Sequence, residues 1–290
     1  MKIIIQTYST PGSVRNYNED EIDILNNLDG SDQKNIPILY SGIFDGHGGG
    51  MISKALVDKS KINICKYFCN IYSPTALKLG KNKSFNEKKI IPLFERIQEK
   101  LRNYYTQSNK MGSTALISLL YPRNGKYLLK VINLGDCRAI ICNDHNIANP
   151  LTLDHKPHLL VEKNRILEMG GTLEESENDD TRIGGMSVSR SFGDLDNKYI
   201  SQIPDVFDYN INSDKFLIMG CDGVWDSLQN QDAVDYVLEK MNEFKIGDKQ
   251  LKNMVGKSDN NIAQKLAEYS IAKGSQDNIS VVIIFFQDNI

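Results

Sequence analysis

An excess of charge of one sign is missing from this 290-residue sequence. Its 34 Lys and Arg nearly balance 37 Asp and Glu, leaving a formal net charge of −3. That balance excludes a surface-wide field that would draw polyanions, so no nucleic-acid partner is expected. Long apolar runs are missing too. Val281 to Phe286 is among the longest, far short of the roughly 18 residues that read as a membrane span. The start, Met1-Lys2-Ile3-Ile4-Ile5, has too short an apolar core for a signal peptide. Lys2 also stands where myristoylation needs glycine. Cysteines number five (Cys65, Cys69, Cys137, Cys142, Cys221), an odd count without framework spacing, which excludes a disulfide-stapled scaffold. Cys65 and Cys69 lie four apart on a predicted helix. With no further ligand to complete a tetrad, they read as free thiols rather than a metal site. An intracellular protein, cytoplasmic and/or nuclear, without membrane insertion is the expectation.

What is present is ordinary for a globular chain: 40% hydrophobic and 24% charged residues suffice for a core. At about 150 residues per domain the length suggests two domains. Short strands are predicted over Ile3–Tyr8, Ile38–Phe44, Thr114–Tyr121, Tyr127–Asn133, Ala139–Asn143, Phe216–Cys221 and Ile279–Phe286. Asn124-Gly125 marks a hairpin between two of them. Helices are predicted over Gly49–Tyr72, Phe85–Tyr105, His158–Met169, Asp232–Phe244 and Asn261–Lys273, with Gly80–Ser84 an exposed loop. Consecutive strands without intervening helices imply antiparallel sheets, and the helix groups imply cover on their outer faces.

The chemistry gathers where carboxylates meet glycine at strand ends. Asp45-Gly46-His47-Gly48-Gly49, Gly135-Asp136 and Asp222-Gly223 each follow an apolar strand, and Asp277 opens the last one. Glycine lets backbone turn or approach an ion closely. Carboxylate and carbonyl oxygens suit hard divalent cations, whereas zinc would call for His or Cys. One Asp-Gly is most simply a turn, but four carboxylates at strand ends point to a cation site. Arg15-Asn16-Tyr17-Asn18-Glu19-Asp20 reads either as a salt-bridged surface loop or as a guanidinium fork for phosphate beside two more carboxylates. Ser189-Arg190-Ser191 reads either as a support for a loop over the site or as a helix cap, and Trp225 as core.

These motifs, in order, resemble the type 2C family of metal-dependent serine/threonine protein phosphatases. The matching segments run from Gly12–Asp20 through Phe44–Gly49, Gly112–Ala115, Asn133–Ala139, Leu151–Pro157, Val188–Asp194 and Cys221–Asp226 to Gly274–Ser280. The resemblance implies an α+β fold, a four-layer α/β/β/α sandwich of two antiparallel sheets covered by helices. Two Mg2+ or Mn2+ ions are implied, with a weaker third. Asp45 would bridge the pair, the Gly46 carbonyl would bind one ion, and Asp222 and Asp277 the other. Glu19 and Asp20 would act largely through water, while Asp136, with Asp222 and Asp226, matches the third position. Arg15 would hold the phosphate, and His47 is the candidate acid for the leaving oxygen, although a lone histidine in a glycine-rich turn also serves simple hydrogen bonding. Cys221 is expected to point away from Asp222 on an extended strand, so no cysteine nucleophile is implied.

Asp154 to Met186 corresponds to the family's variable flap. Its acidic run Glu174–Asp180 reads as a solvated loop or as a lure for basic phosphopeptides. Because the implied ligands run from Glu19 to Asp277, residues 1–290 are expected to form a single catalytic domain, correcting the count from length. Phosphorylated proteins are the implied partners, and a monomer is the default. A metal-free binding module and a metal-dependent nuclease or phosphodiesterase are the competing readings. The full ligand set counts against the first, and the lack of a basic groove against the second.

Overall fold

Isoleucine, valine, leucine and phenylalanine occupy alternate positions on both faces of the central strands, so each strand must be covered twice. In the computed structural model, which describes residues 3–26, 37–71, 87–123, 126–175, 181–244 and 252–286, both faces are covered. A six-stranded sheet runs in the order β13 (Met254–Val255), β1 (Ile3–Thr10), β14 (Ile279–Phe286), β12 (Phe216–Gly220), β8 (Arg138–Cys142) and β9 (Ala148–Pro150). A five-stranded sheet runs β11 (Asp205–Ile211), β7 (Lys126–Leu134), β6 (Ala115–Arg123), β3 (Leu39–Phe44) and β2 (Glu21–Asn26). The inner faces meet through Ile5, Ile43, Leu116, Val131, Ile141, Leu217, Met219 and Val282.

The outward-facing residues of the same strands pack on helices. Helices α1 (Met51–Val57), α2 (Ile64–Ile71) and α3 (Glu87–Tyr104) cover the five-stranded sheet through Leu56, Phe68 and Phe94. Helices α5 (Asp222–Trp225), α6 (Asn230–Glu243) and α7 (Ile262–Ala272) cover the other through Trp225, Val237 and Leu266. The four layers are therefore helices, sheet, sheet, helices. Helix α4 (Leu160–Glu168) stands apart on its own small core of Ile166, Ile183 and Ile200.

Several details differ from the expectation. The helix predicted over Gly49–Tyr72 is two. Asp58 accepts hydrogen bonds from the Ser60 amide and hydroxyl, and Asn63 takes a left-handed φ of 45°, which turns the chain between α1 and α2. The edge strands β2 and β11 were not anticipated, because their mixed polar pattern reflects half-buried edges. One pair, β13 with β1, is parallel. A third sheet of three very short strands, β10 (Phe192–Gly193), β5 (Gly112–Ser113) and β4 (Gly46–His47), sits at the ends of the larger ones. Strands β6 and β7 pair through to Arg123↔Lys126, as a two-residue hairpin requires. The turn residues Asn124 and Gly125, the loop Gly80–Ser84 and residues 176–180 of the acidic run lie outside the described residues.

Candidate active site

The two large sheets end together. There the short sheet and the strand ends enclose a cavity of about 550 Å³ lined by Arg15, Glu19, Asp45, Gly46, His47, Asp136, Asp222 and Asp277, with Asp226 beside them. Every site residue expected from the sequence lines this cavity except Asp20, which lies behind it, 4% exposed. Residues far apart in sequence meet because β1 and β14 pair along their whole length, from Ile3↔Phe286 to Thr10↔Ile279. At that end Asn278 accepts from the Glu19 amide (2.9 Å) and donates to the carbonyls of Tyr17 (3.0 Å) and Pro11 (3.3 Å). Gly12, at φ +75°, passes so close that a Cβ there would sit 2.3 Å from the Asp277 carbonyl. Thr114 braces Asp45: its amide donates to the Asp45 carbonyl (2.9 Å) and its Oγ1 accepts from the Asp45 amide (3.2 Å).

For Asp45, Asp222 and Asp20, burial and neighbouring carboxylates work against the ionised form. Burial, then Asp222, Asp20 and Asp136, push the Asp45 carboxyl well above the usual range. Burial, then Asp136 and Asp226, do the same to Asp222. Burial raises Asp20 to about 6; Ser280 and Cys221 nearby soften the effect, yet neither of its oxygens completes a hydrogen bond. Buried oxygen donors without partners are costly alone and are what a hard divalent cation satisfies. The donor set therefore fits Mg2+ or Mn2+.

Cys221 departs from expectation. Helix α5 begins at Asp222, so the chain stops being extended there. The Cys221 sulfur, an Asp45 oxygen and an Asp222 oxygen then lie within 4.8 Å of one another. Burial, then the charges of Asp20 and Asp45, push the thiol far up, so it stays protonated and is no nucleophile. It donates to the Asn278 carbonyl (3.3 Å) and accepts from the Ser280 amide (3.2 Å). Trp225 is core as expected, its indole N–H donating to the Gly220 carbonyl at 2.9 Å. Arg15, half-exposed, donates from Nη2 to Asp277 at 2.7 Å, so the guanidinium borders the cavity from a carboxylate it would have to share with a cation.

Some residues in the cavity escaped the sequence reading. The Lys156 ammonium lies 3.2 Å from Asp136 and 3.5 Å from Asp226. Burial works against its charge, but Asp136, Asp226 and Asp222 outweigh that and raise it. The chain thus supplies its own cation between two carboxylates of the expected third position. Its neighbour His155 accepts from the Gly135 amide at Nδ1 (3.0 Å), which puts the ring proton on Nε2, 3.2 Å from Asp205. That link anchors the turn carrying Asp136. Arg190 caps no helix; it pairs with Glu162 of α4 and with Asp205 (3.0 Å), tying the outlying helix to the sandwich. A second, more open cavity adjoins the first, sharing Lys156, Ser187 and Asp226 and continuing past Leu153 and Leu159.

His47 is held by Asp194, Nε2 to Oδ2 at 2.7 Å. Burial alone would lower its pKa, but the hydrogen bond and charge of Asp194 reverse the sign and raise it.

Comparison with known proteins gives one answer. The family model described as "Protein phosphatase 2C" matches residues 9–279. A PP2C-like domain-containing protein of Acanthamoeba polyphaga mimivirus is 48% identical over 170 residues, covering 54% of this chain and 94% of the relative. A probable protein phosphatase 2C of Oryza sativa subsp. japonica is 33% identical over 260 residues, 84% of this chain and 67% of the relative. Among solved structures, a serine-threonine phosphatase 2C from Toxoplasma gondii superposes with a TM-score of 0.73 at 22% identity, covering 97% of this chain and 94% of that one.

Proposed function

The chain belongs to the protein phosphatase 2C family, metal-dependent serine/threonine phosphatases, and from that premise we propose how its own residues divide the work. The supporting observation is that carboxylates from four strand ends converge on one cavity, where burial and their mutual repulsion hold Asp45 and Asp222 above the ordinary range. Asp45, the Gly46 carbonyl, Asp222, Asp277 and Glu19 would hold two Mg2+ or Mn2+ ions, with Asp20 behind them. When bound, such ions supply positive charge that offsets the phosphate dianion and acidifies a water. Arg15 directs its planar fork at the phosphate oxygens. His47 protonates the departing serine or threonine oxygen, a role worth about 10²–10⁴-fold in rate. Asp136 serves a weaker third cation position that Lys156 already neutralises in part.

Residues 1–290 act as a single catalytic unit and as a monomer. The substrates are phosphorylated proteins inside the cell, a setting that suits the buried free thiols of Cys65, Cys137, Cys142 and Cys221. No helix among the described residues is long and apolar enough to cross a membrane.

The test is hydrolysis of a phosphothreonine peptide with Mn2+, with EDTA, and by Asp45→Asn and Asp222→Asn. EDTA should abolish turnover. Each variant should lose more than the roughly 10–100-fold typical of changes one shell out from a metal. Metal-independent turnover, or full activity in both variants, would overturn the reading.

A further inference from the structure

The short three-stranded sheet does more than close the cavity. Its register sets His47 of β4 opposite Gly112 of β5, and Gly112 opposite Gly193 of β10. Asp194 follows directly and turns back over the sheet with a left-handed φ of +51°. The His47–Asp194 hydrogen bond therefore passes over Gly112. A Cβ at that position would fall 2.1 Å from Asp194 Oδ2 and 2.4 Å from His47 Nε2. Glycine is required there because the bond occupies the space a side chain would take.

The carboxylate is fixed from several sides. Ser191 Oγ donates to the same Oδ2, and the Asp194 amide donates to the Met111 carbonyl at 3.1 Å. Gln98 brackets the preceding glycine, donating to the Gly193 carbonyl (2.8 Å) and accepting from its amide (2.9 Å). Asp194 is 4% exposed, whereas the His47 side chain is 28% exposed. A buried carboxylate, held by Ser191 and by its own backbone, thus grips one nitrogen of a ring that faces the cavity. Elsewhere in proteins this arrangement orients a histidine for proton transfer.

We infer that Asp194 is a positioning residue that fixes the His47 ring so that Nδ1, the nitrogen it leaves free, meets the departing oxygen of the substrate. The inference rests on the proposed role of His47. In the step itself, the oxygen of water bonds to phosphorus as the bond from phosphorus to the serine or threonine oxygen breaks. That oxygen keeps the electron pair and takes the proton from His47. The attacking water gives up a proton to solvent, from which the ring is restored.

A group that orients the acid matters in proportion to how badly the leaving oxygen needs a proton. With the Mn2+-loaded enzyme, kcat should be compared on a phosphothreonine peptide, a poor leaving group, and on p-nitrophenyl phosphate, a good one. For Asp194→Asn the loss on the peptide should exceed the loss on the aryl ester by about tenfold or more, a fraction of what the acid itself supplies. The double variant His47→Ala/Asp194→Asn should be no slower on the peptide than His47→Ala, since both remove one function. Equal losses on the two substrates, or multiplying losses in the double variant, would overturn the inference. Should Asp194→Asn not fold, Ser191→Ala, which frees the carboxylate from its hydroxyl, must show the same substrate-dependent bias, and its absence counts against the inference equally. If His47→Ala itself shows no leaving-group bias, the general-acid reading fails first. A bias in His47→Ala without one in Asp194→Asn removes the positioning role alone.

Discussion

Single side chains at this site work against the stability of the empty protein. Asp20 illustrates the sign. Its carboxyl lies at about 6 in the folded chain against 3.8 ordinarily, so the folded state binds the proton more tightly than the unfolded chain. That contribution is fully present at low pH and is lost as pH rises from about 4 through 6, on the order of 3 kcal/mol by linkage. Metal-free protein should therefore gain less stability from neutral pH than its Asp20→Asn variant, as thermal unfolding at pH 5 and 7.5 would reveal. Parallel curves would refute it. Lys156 makes the opposite kind of case. Removing its ammonium from Asp136 and Asp226 should strengthen binding of the weakest Mn2+ ion in Lys156→Met, read by titration of bound Mn2+ rather than by turnover; unchanged affinity would show that the lysine does not compete.

Asp45, Asp136 and Asp222 were legible because each stands beside glycine at the end of an apolar strand, a purely local signature, whereas the proposed ligand roles, those of Glu19 and Asp20 above all, came from the family resemblance. Asp194 and Lys156 were not, since their partners His47 and Asp136 come from distant segments and only the fold sets them opposite. Cys221 was misjudged because the strand stops one residue sooner than its apolar run suggests.

Elements rather than residues decide whether the distant ligands share one cavity. The start of β14 is stapled to the loop before β2 by Asn278, which bonds Pro11, Tyr17 and Glu19, and beside it by Arg15, which donates to Asp277. Asn278→Ala leaves those backbone groups unpaired in a residue environment only 6% exposed. It should cost about 1–3 kcal/mol in urea unfolding and weaken Mn2+ binding by about 10–100-fold. Intact Mn2+ affinity would show that Glu19 and Asp277 are placed by something else. Central strands were readable from sequence because both faces are buried and apolar residues dominate them. The edge strands β2 and β11 were not, for half their surface meets water. The split between α1 and α2 depends on an Asp58 side chain choosing the Ser60 backbone over solvent, a choice that periodicity does not encode.

Across the whole molecule, the interior between the sheets and the site at their ends are separable. Leu217 is fully buried in the inter-sheet core. Leu217→Ala should lower stability by about 2–5 kcal/mol while leaving kcat per folded molecule within about twofold at temperatures where the protein stays folded; a large kcat loss would mean that the sheets transmit strain to the site. Strand and helix order suggested sheets covered outside by helices; the four-layer plan itself, like the ligand set from Glu19 to Asp277 that argued for one domain, came from the family resemblance.

The pairing of β1 with β14 also sets a timetable. Ribosomes add about 5–20 residues per second, so Asp45 leaves the ribosome roughly ten to fifty seconds before Asp277 does. Throughout that interval β1 lacks its full-length neighbour. A half-made chain therefore lacks both Asp277 and the strand behind it, and the cavity cannot close until residues 277–286 have been made.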